Sequence, residues 1–133
     1  MPTTLPPPGC GGAADGPTFL SVGCRLDELL ADVRGATALG TFGPKSAQNA
    51  DKAVGRLADA LTACESGDTK QAKTRLAQVK KALVQYAHRL RGRAARRRLE
   101  PAVREGFLAA GETIAADVSA LRAALTCPAD AAP

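Results

Sequence analysis

From Pro44 to Arg98 the apolar residues keep the period of two consecutive helices, and that run sets what the chain can fold into. Apolar side chains fall at Ala47, Ala50, Val54, Leu57, Leu61 and Cys64, then at Ala72, Leu76, Val79, Leu83, Tyr86 and Leu90. Steps of three and four keep each set on one side of a helix. Between them, Glu65-Ser66-Gly67-Asp68 stops one helix and starts the next. Gly67 suits the left-handed residue that ends a helix, and Asp68 with Gln71 reads as a capping pair. A connection this short makes the two helices antiparallel neighbours.

The flanks follow the same logic. A first helix runs from Phe19 or Val22 to Thr37, with the stripe Val22, Leu26, Leu29, Val33 and Ala36, widened by Leu30. Thr18 or Ser21 supplies its N-cap. Leu39 to Pro44 is a turn, with Phe42 tucked under the end of the bundle. Pro44 starts the next helix, where its missing amide hydrogen leaves nothing unpaired. A last helix starts near Pro101, carries Val103, Phe107, Ala110, Ile114, Val118, Leu121 and Leu125, and stops at Thr126-Cys127-Pro128. The expected fold is all-α: an antiparallel up-down-up-down four-helix bundle over residues 19–127. A Pro/Gly-rich linker at residues 1–18 precedes it and a disordered tail at residues 128–133 follows.

A bundle of this length buries only about two-thirds of its unfolded surface, so covalent staples help it. The four cysteines, Cys10, Cys24, Cys64 and Cys127, meet that need. No CxxC or His-Cys grouping calls for a metal, so disulfides are expected, and with them a secreted, periplasmic or cell-surface location. In the expected topology Cys24, Cys64 and Cys127 gather at one end, within reach of Cys10. The favoured pairing is Cys24 with Cys64 and Cys10 with Cys127; the runner-up is Cys24 with Cys127 and Cys10 with Cys64. Met1 to Pro6 lack the basic start and apolar run of a signal peptide, so an export signal is expected upstream and the chain reads as a mature or excised piece. No run approaches the roughly 20 apolar residues of a membrane span.

Charge is placed unevenly. Between Thr69 and Leu99 stand eleven Lys or Arg and no acid, whereas the rest of the chain carries seven basic and thirteen acidic residues. The densest part is Arg89, Arg91, Arg93, Arg96, Arg97 and Arg98. As a site, this cluster would bind anions: an anionic polymer, lipid head groups or an acidic protein. As plain structure, it is a solvated helix end whose arginines complement the helix dipole and pair with Glu100, Glu105 and Glu112. Nucleic acid is disfavoured, because one Tyr, three Phe and no Trp offer no platform for stacking bases.

Catalytic patterns are missing. His88, the only histidine, falls on the outermost position of its helix and has no nucleophile arranged beside it. Asp27, Glu28 and Asp32 fall on one face of the first helix as ordinary surface acids, and Gly9, Gly11 and Gly12 precede no strand or P-loop lysine. The expectation is therefore a non-enzymatic chain needing no cofactor. A rival reading is a small-ligand carrier with a cavity lined by Ala50, Ala110 and Gly111; another is a self-assembling cell-surface protein.

The run Phe19-Leu20-Ser21-Val22-Gly23-Cys24-Arg25-Leu26-Asp27-Glu28-Leu29-Leu30, with His88-Arg89-Leu90-Arg91 later, resembles a helical module at the C-terminal ends of secreted multi-domain bacterial proteins. The likeness covers about residues 19–127. It implies an accessory role and a place behind a linker, and carries over no functional residues.

Overall fold

The computed structural model describes Cys10 and residues 16–128. The expectations of a linker over residues 1–9 and 11–15 and of a tail over residues 129–133 lie outside those residues. The described chain is all-helical: α1 (Phe19–Gly35), a 3-10 turn at Thr37–Leu39, α2 (Phe42–Glu65), α3 (Thr69–Arg91), α4 (Arg93–Arg98) and α5 (Pro101–Ala124). Two disulfides join Cys10 to Cys24 and Cys64 to Cys127.

The helix ends obey local chemistry. Ser21 donates its backbone N–H to Thr18 Oγ1 at 3.0 Å, which makes Thr18 the cap of α1. Gly67, at φ +85°, closes α2 in the left-handed conformation. The Gly67 N–H reaches the Cys64 carbonyl and the Asp68 N–H reaches the Ala63 carbonyl, both at 2.9 Å, which is the paired pattern that satisfies a helix's last carbonyls. Asp68 Oδ1 then accepts the Gln71 N–H at 2.9 Å, opening α3. Three residues therefore end one helix and begin the next.

Two boundaries differ from the sequence reading. Leu39 is fully buried, so the turn after α1 drives a side chain into the core. This lets α2 begin at Phe42, and Pro44 is its third residue rather than its first. Proline is tolerated there because the first four amides of a helix have no partner within it. The other difference is α4, a short helix between Gly92 and Leu99, where the sequence reading gave no separate helix.

The long helices pack α1 on α2, α2 on α3, α3 on α5, and α5 back on α1. Cross-contacts tie the start of one helix to the end of its neighbour. Asn49 of α2 meets Gln85 and Arg89 of α3, and Arg122 of α5 donates to the Lys73 carbonyl of α3. Arg34 pairs with Asp51 between α1 and α2 at 3.8 Å, and Arg25 pairs with Asp117 between α1 and α5 at 2.6 Å.

The α2 stripe is turned relative to expectation. Its buried residues are Gly43, Ser46, Asn49, Ala50, Ala53, Leu57, Ala60 and Cys64, while Leu61 is 40% exposed. Ala53 and Ala60 join the core cluster together with Leu76, Val79 and Ala82 of α3. Small residues let two helix backbones approach, and a reading that weights large side chains misses that face.

The disulfide pairing also corrects the sequence reading; neither of the two pairings weighed there forms. Cys24 sits about 200° around α1 from Val22, because each residue turns the helix by about 100°. It therefore faces away from the core, toward the incoming chain at Cys10. Cys64 lies on the inner face of α2, packed with Ala72 and Cys127. Helix phase separates Cys24 from Cys64 although Phe19, at the start of α1, packs against the Cys64–Cys127 cluster.

Only one tyrosine serves this core, and it is fully buried. Tyr86 donates its hydroxyl to the Phe107 carbonyl of α5 at 2.8 Å. Its ring lies over Gly111, where an added Cβ would come within 2.6 Å of Cε2. Burial, and then the negative charge of Asp32, hold the phenol well above its ordinary pKa, so it stays a neutral donor.

Replacing Gly111 by Ala should destabilise the fold by about 1–3 kcal/mol through overpacking. The same change at Gly106, whose added Cβ meets nothing within 4 Å, should stabilise by up to about 1 kcal/mol through helix propensity. Urea midpoints of the two variants, moving in opposite directions, check this. Cys64 and Cys127 are 63 residues apart against 14 for Cys10 and Cys24. Paired alanine substitution should therefore cost more at the longer loop, at most about 4 against about 3 kcal/mol by loop entropy. Non-reducing peptide maps and denaturation of both double variants measure it.

Candidate anion-binding surface

The sequence-selected arginines sit where α3, α4 and α5 meet, and the structure divides them into two groups. Arg89 and Arg91, in the last turn of α3, are engaged. Arg89 donates Nε to Asn49 Oδ1 at 3.2 Å, and Arg91 forms an ion pair with Glu112 of α5. Arg93, Arg96, Arg97 and Arg98 belong to α4, are all exposed, and form no ion pair with any carboxylate among the described residues.

The reason lies in how α4 is anchored. Gly92 is extended, at φ −65° and ψ 160°, and both ends α3 and starts α4. Ala95 is fully buried and Leu99 is 6% exposed, so these two residues pin one side of the short helix to the core. The arginines occupy what remains and project outward. Arg104 at the start of α5 supports the corner from beneath, donating Nη1 to the Leu90 carbonyl at 3.3 Å and lying 3.8 Å from Glu105. That bond satisfies one of the orphan carbonyls at the end of α3. Glu100 forms no ion pair with a described residue, so of the three acids expected to neutralise the cluster only Glu112 does so.

Other candidates fall as follows. His88 is exposed beside Val84, Gln85 and Arg89. The acids of α1 are not on one face. Asp27 lines an apolar groove with Phe19, Leu20 and Leu61, Asp32 lines a groove of about 420 Å³ between α1 and α5, and Glu28 borders both. Among the described residues no group of three or more His, Cys, Asp or Glu is placed to hold a metal ion. Ala50 is fully buried and the Tyr86 ring fills the space over Gly111, while Ala110 lies in the surface groove against α1. The three small residues thus line no common cavity.

Sequence reasoning found the cluster but missed its division, because the acid that neutralises Arg91 lies 21 positions along the chain. The apolar pair Ala95 and Leu99, four apart, was the available signal for α4. No described helix is long and apolar enough to cross a membrane. The two disulfides suit an oxidising, extracytoplasmic environment. No protein-family model, curated protein or solved structure matches the chain.

The two kinds of arginine contact differ in worth. Glu112→Gln should change stability by less than about 0.5 kcal/mol, because the Arg91 pair is half exposed to water. Arg104→Gln, which uncaps α3 at a mostly buried position, should cost about 1 kcal/mol. Urea denaturation of the two variants side by side gives the comparison.

Proposed function

We propose that the chain is a non-enzymatic, extracytoplasmic accessory module that docks to an anionic surface or partner through α4. The observation that carries this is the one-sided build of α4. Two apolar residues bury it, and four exposed arginines form no ion pair with a described acid. A like-charged cluster in which no member is neutralised repels itself, and it is relieved by a polyanion brought from outside. Arginines on a rigid, buried-anchored helix lose less freedom on binding than the same residues on a loop.

The scaffold for this reading is an antiparallel up-down-up-down four-helix bundle of α1, α2, α3 and α5, with α4 capping the α3/α5 end. The start-to-end contacts between neighbouring helices support that topology. The same reading places the chain as an accessory module of a secreted bacterial multi-domain protein, in line with the resemblance of residues 19–30. The carrier alternative lacks support, since the core over Gly111 is filled by Tyr86.

The triple variant Arg96→Gln, Arg97→Gln and Arg98→Gln should leave heparin at lower salt. The slope of log affinity against log salt should fall by up to about three, one for each cation lost. The matching lysine triple should retain binding if charge alone counts and lose it if paired guanidinium contacts matter. Anionic vesicles run in parallel tell a polymer from a lipid surface. Unchanged elution of the glutamine triple overturns the proposal.

A further inference from the structure

A second basic site lies on the side of the molecule, away from α4. The seam between α2 and α3 opens into a groove of about 200 Å³ lined by Lys52, Arg56, Gln78, Lys81, Ala82 and Gln85. Lys52 and Arg56 stand one turn apart on α2. Gln78, Lys81 and Gln85 stand at three- and four-residue steps on α3 and meet them across the seam. Ala82 is 1% exposed and forms the apolar floor. Three cations and two amides thus line the groove, and no carboxylate does.

The amides are already oriented. Gln78 Oε1 accepts from Arg75 Nη1 at 3.1 Å, and Gln85 Oε1 accepts from Asn49 Nδ2 at 3.5 Å. Each glutamine oxygen thus already accepts one bond, and neither NH2 donates to a described residue. The side chains around the groove offer mainly donors: two ammonium groups, one guanidinium and two amide NH2 groups. Arg56 lies 3.5 Å from Asp59, which does not line the groove, an exposed contact that employs one of its five N–H donors. Asp51 turns to Arg34 instead, at 3.8 Å. Converging donors and mutually repelling cations match a compact anion with several acceptor oxygens.

We propose that the α2/α3 groove binds a single tetrahedral oxyanion, the phosphate or sulfate group of a monoester or the free ion. Its volume, several times the roughly 30 Å³ share of one water, admits such a group with part of its hydration shell. The site goes beyond docking through α4 and does not depend on it, since none of the α4 arginines lines it. The bonds from Arg89 to Asn49 and from Asn49 to Gln85 connect the end of α3 to the groove.

The test is a titration of the full chain with inorganic phosphate and with sulfate at constant ionic strength, followed by the side-chain NH2 resonances of Gln78 and Gln85. Both should shift and saturate, while chloride leaves them in place. Lys81→Gln and, separately, Lys52→Gln should each weaken the binding about tenfold with the rest of the spectrum unchanged. The Arg96→Gln, Arg97→Gln, Arg98→Gln triple should leave it intact, which separates failure of this site from failure of the α4 surface. A phosphorylated and a sulfated monosaccharide, run as separate arms, identify the source of the group by which saturates at the lower concentration. Glutamine resonances that stay put, or shifts that spread without saturation over all basic residues alike, overturn the proposal.

Discussion

The packing of Tyr86 on Gly111 sets the spacing between α3 and α5, and the basic end of the molecule depends on it. In a core otherwise built of Leu, Val, Ile and Ala, one large aromatic ring has to be housed, and only a residue without a Cβ leaves room for it. The hydroxyl then needs a partner and finds the Phe107 carbonyl across the interface. Ring and hydroxyl together hold the C-terminal part of α3 against the first half of α5. Gly92 can therefore leave α3 at a defined place, and Ala95 and Leu99 reach the core from there. The placement of four arginines thus rests in part on one glycine in α5, the helix that directly follows the tip.

A helix pair that carries eleven basic residues and no acid gains little from its own charges. The fold meets that cost unevenly. Arg91 is neutralised by Glu112, Arg75 and Arg89 are drawn into bonds with Gln78 and Asn49, and the charges of α4 and the two lysines of the α2/α3 seam form no ion pair with a described acid. Where a protein neutralises some cations of a cluster and leaves others unpaired, the unpaired ones mark where an external anion gains most. The two proposed surfaces lie at the end of α3 and on its flank.

The disulfides act on separate problems. Cys64–Cys127 ties the end of α2 to the residues after α5, closing a loop that spans nearly half the chain. Cys10–Cys24 closes a short loop and fastens the incoming segment to the outer side of α1. With α1 only 17 residues long against 24 for α2 and α5, the bundle is covered less fully along that helix, and the grooves beside α1 lie there.

Much of the architecture was legible in the chain. The three- and four-residue apolar steps, Thr18, Asp68, Gly67 and Pro101 set the helices and most of their ends, because those signals act within one or two turns of backbone. The composition also marked where positive charge would collect. What only tertiary structure decided was phase and partnership. The inner face of α2 turned toward its alanines because close helix approach rewards small residues, a term that no single helix contains. Cys24 turned from Cys64 because rotation about the helix axis separates residues that topology brings to the same end. Which arginines stay unpaired was settled by Glu112 on another helix, and the donor-lined groove exists only where α2 and α3 are pressed together. Local sequence determines what each segment becomes; distances between segments, and so every site, arise only once they pack.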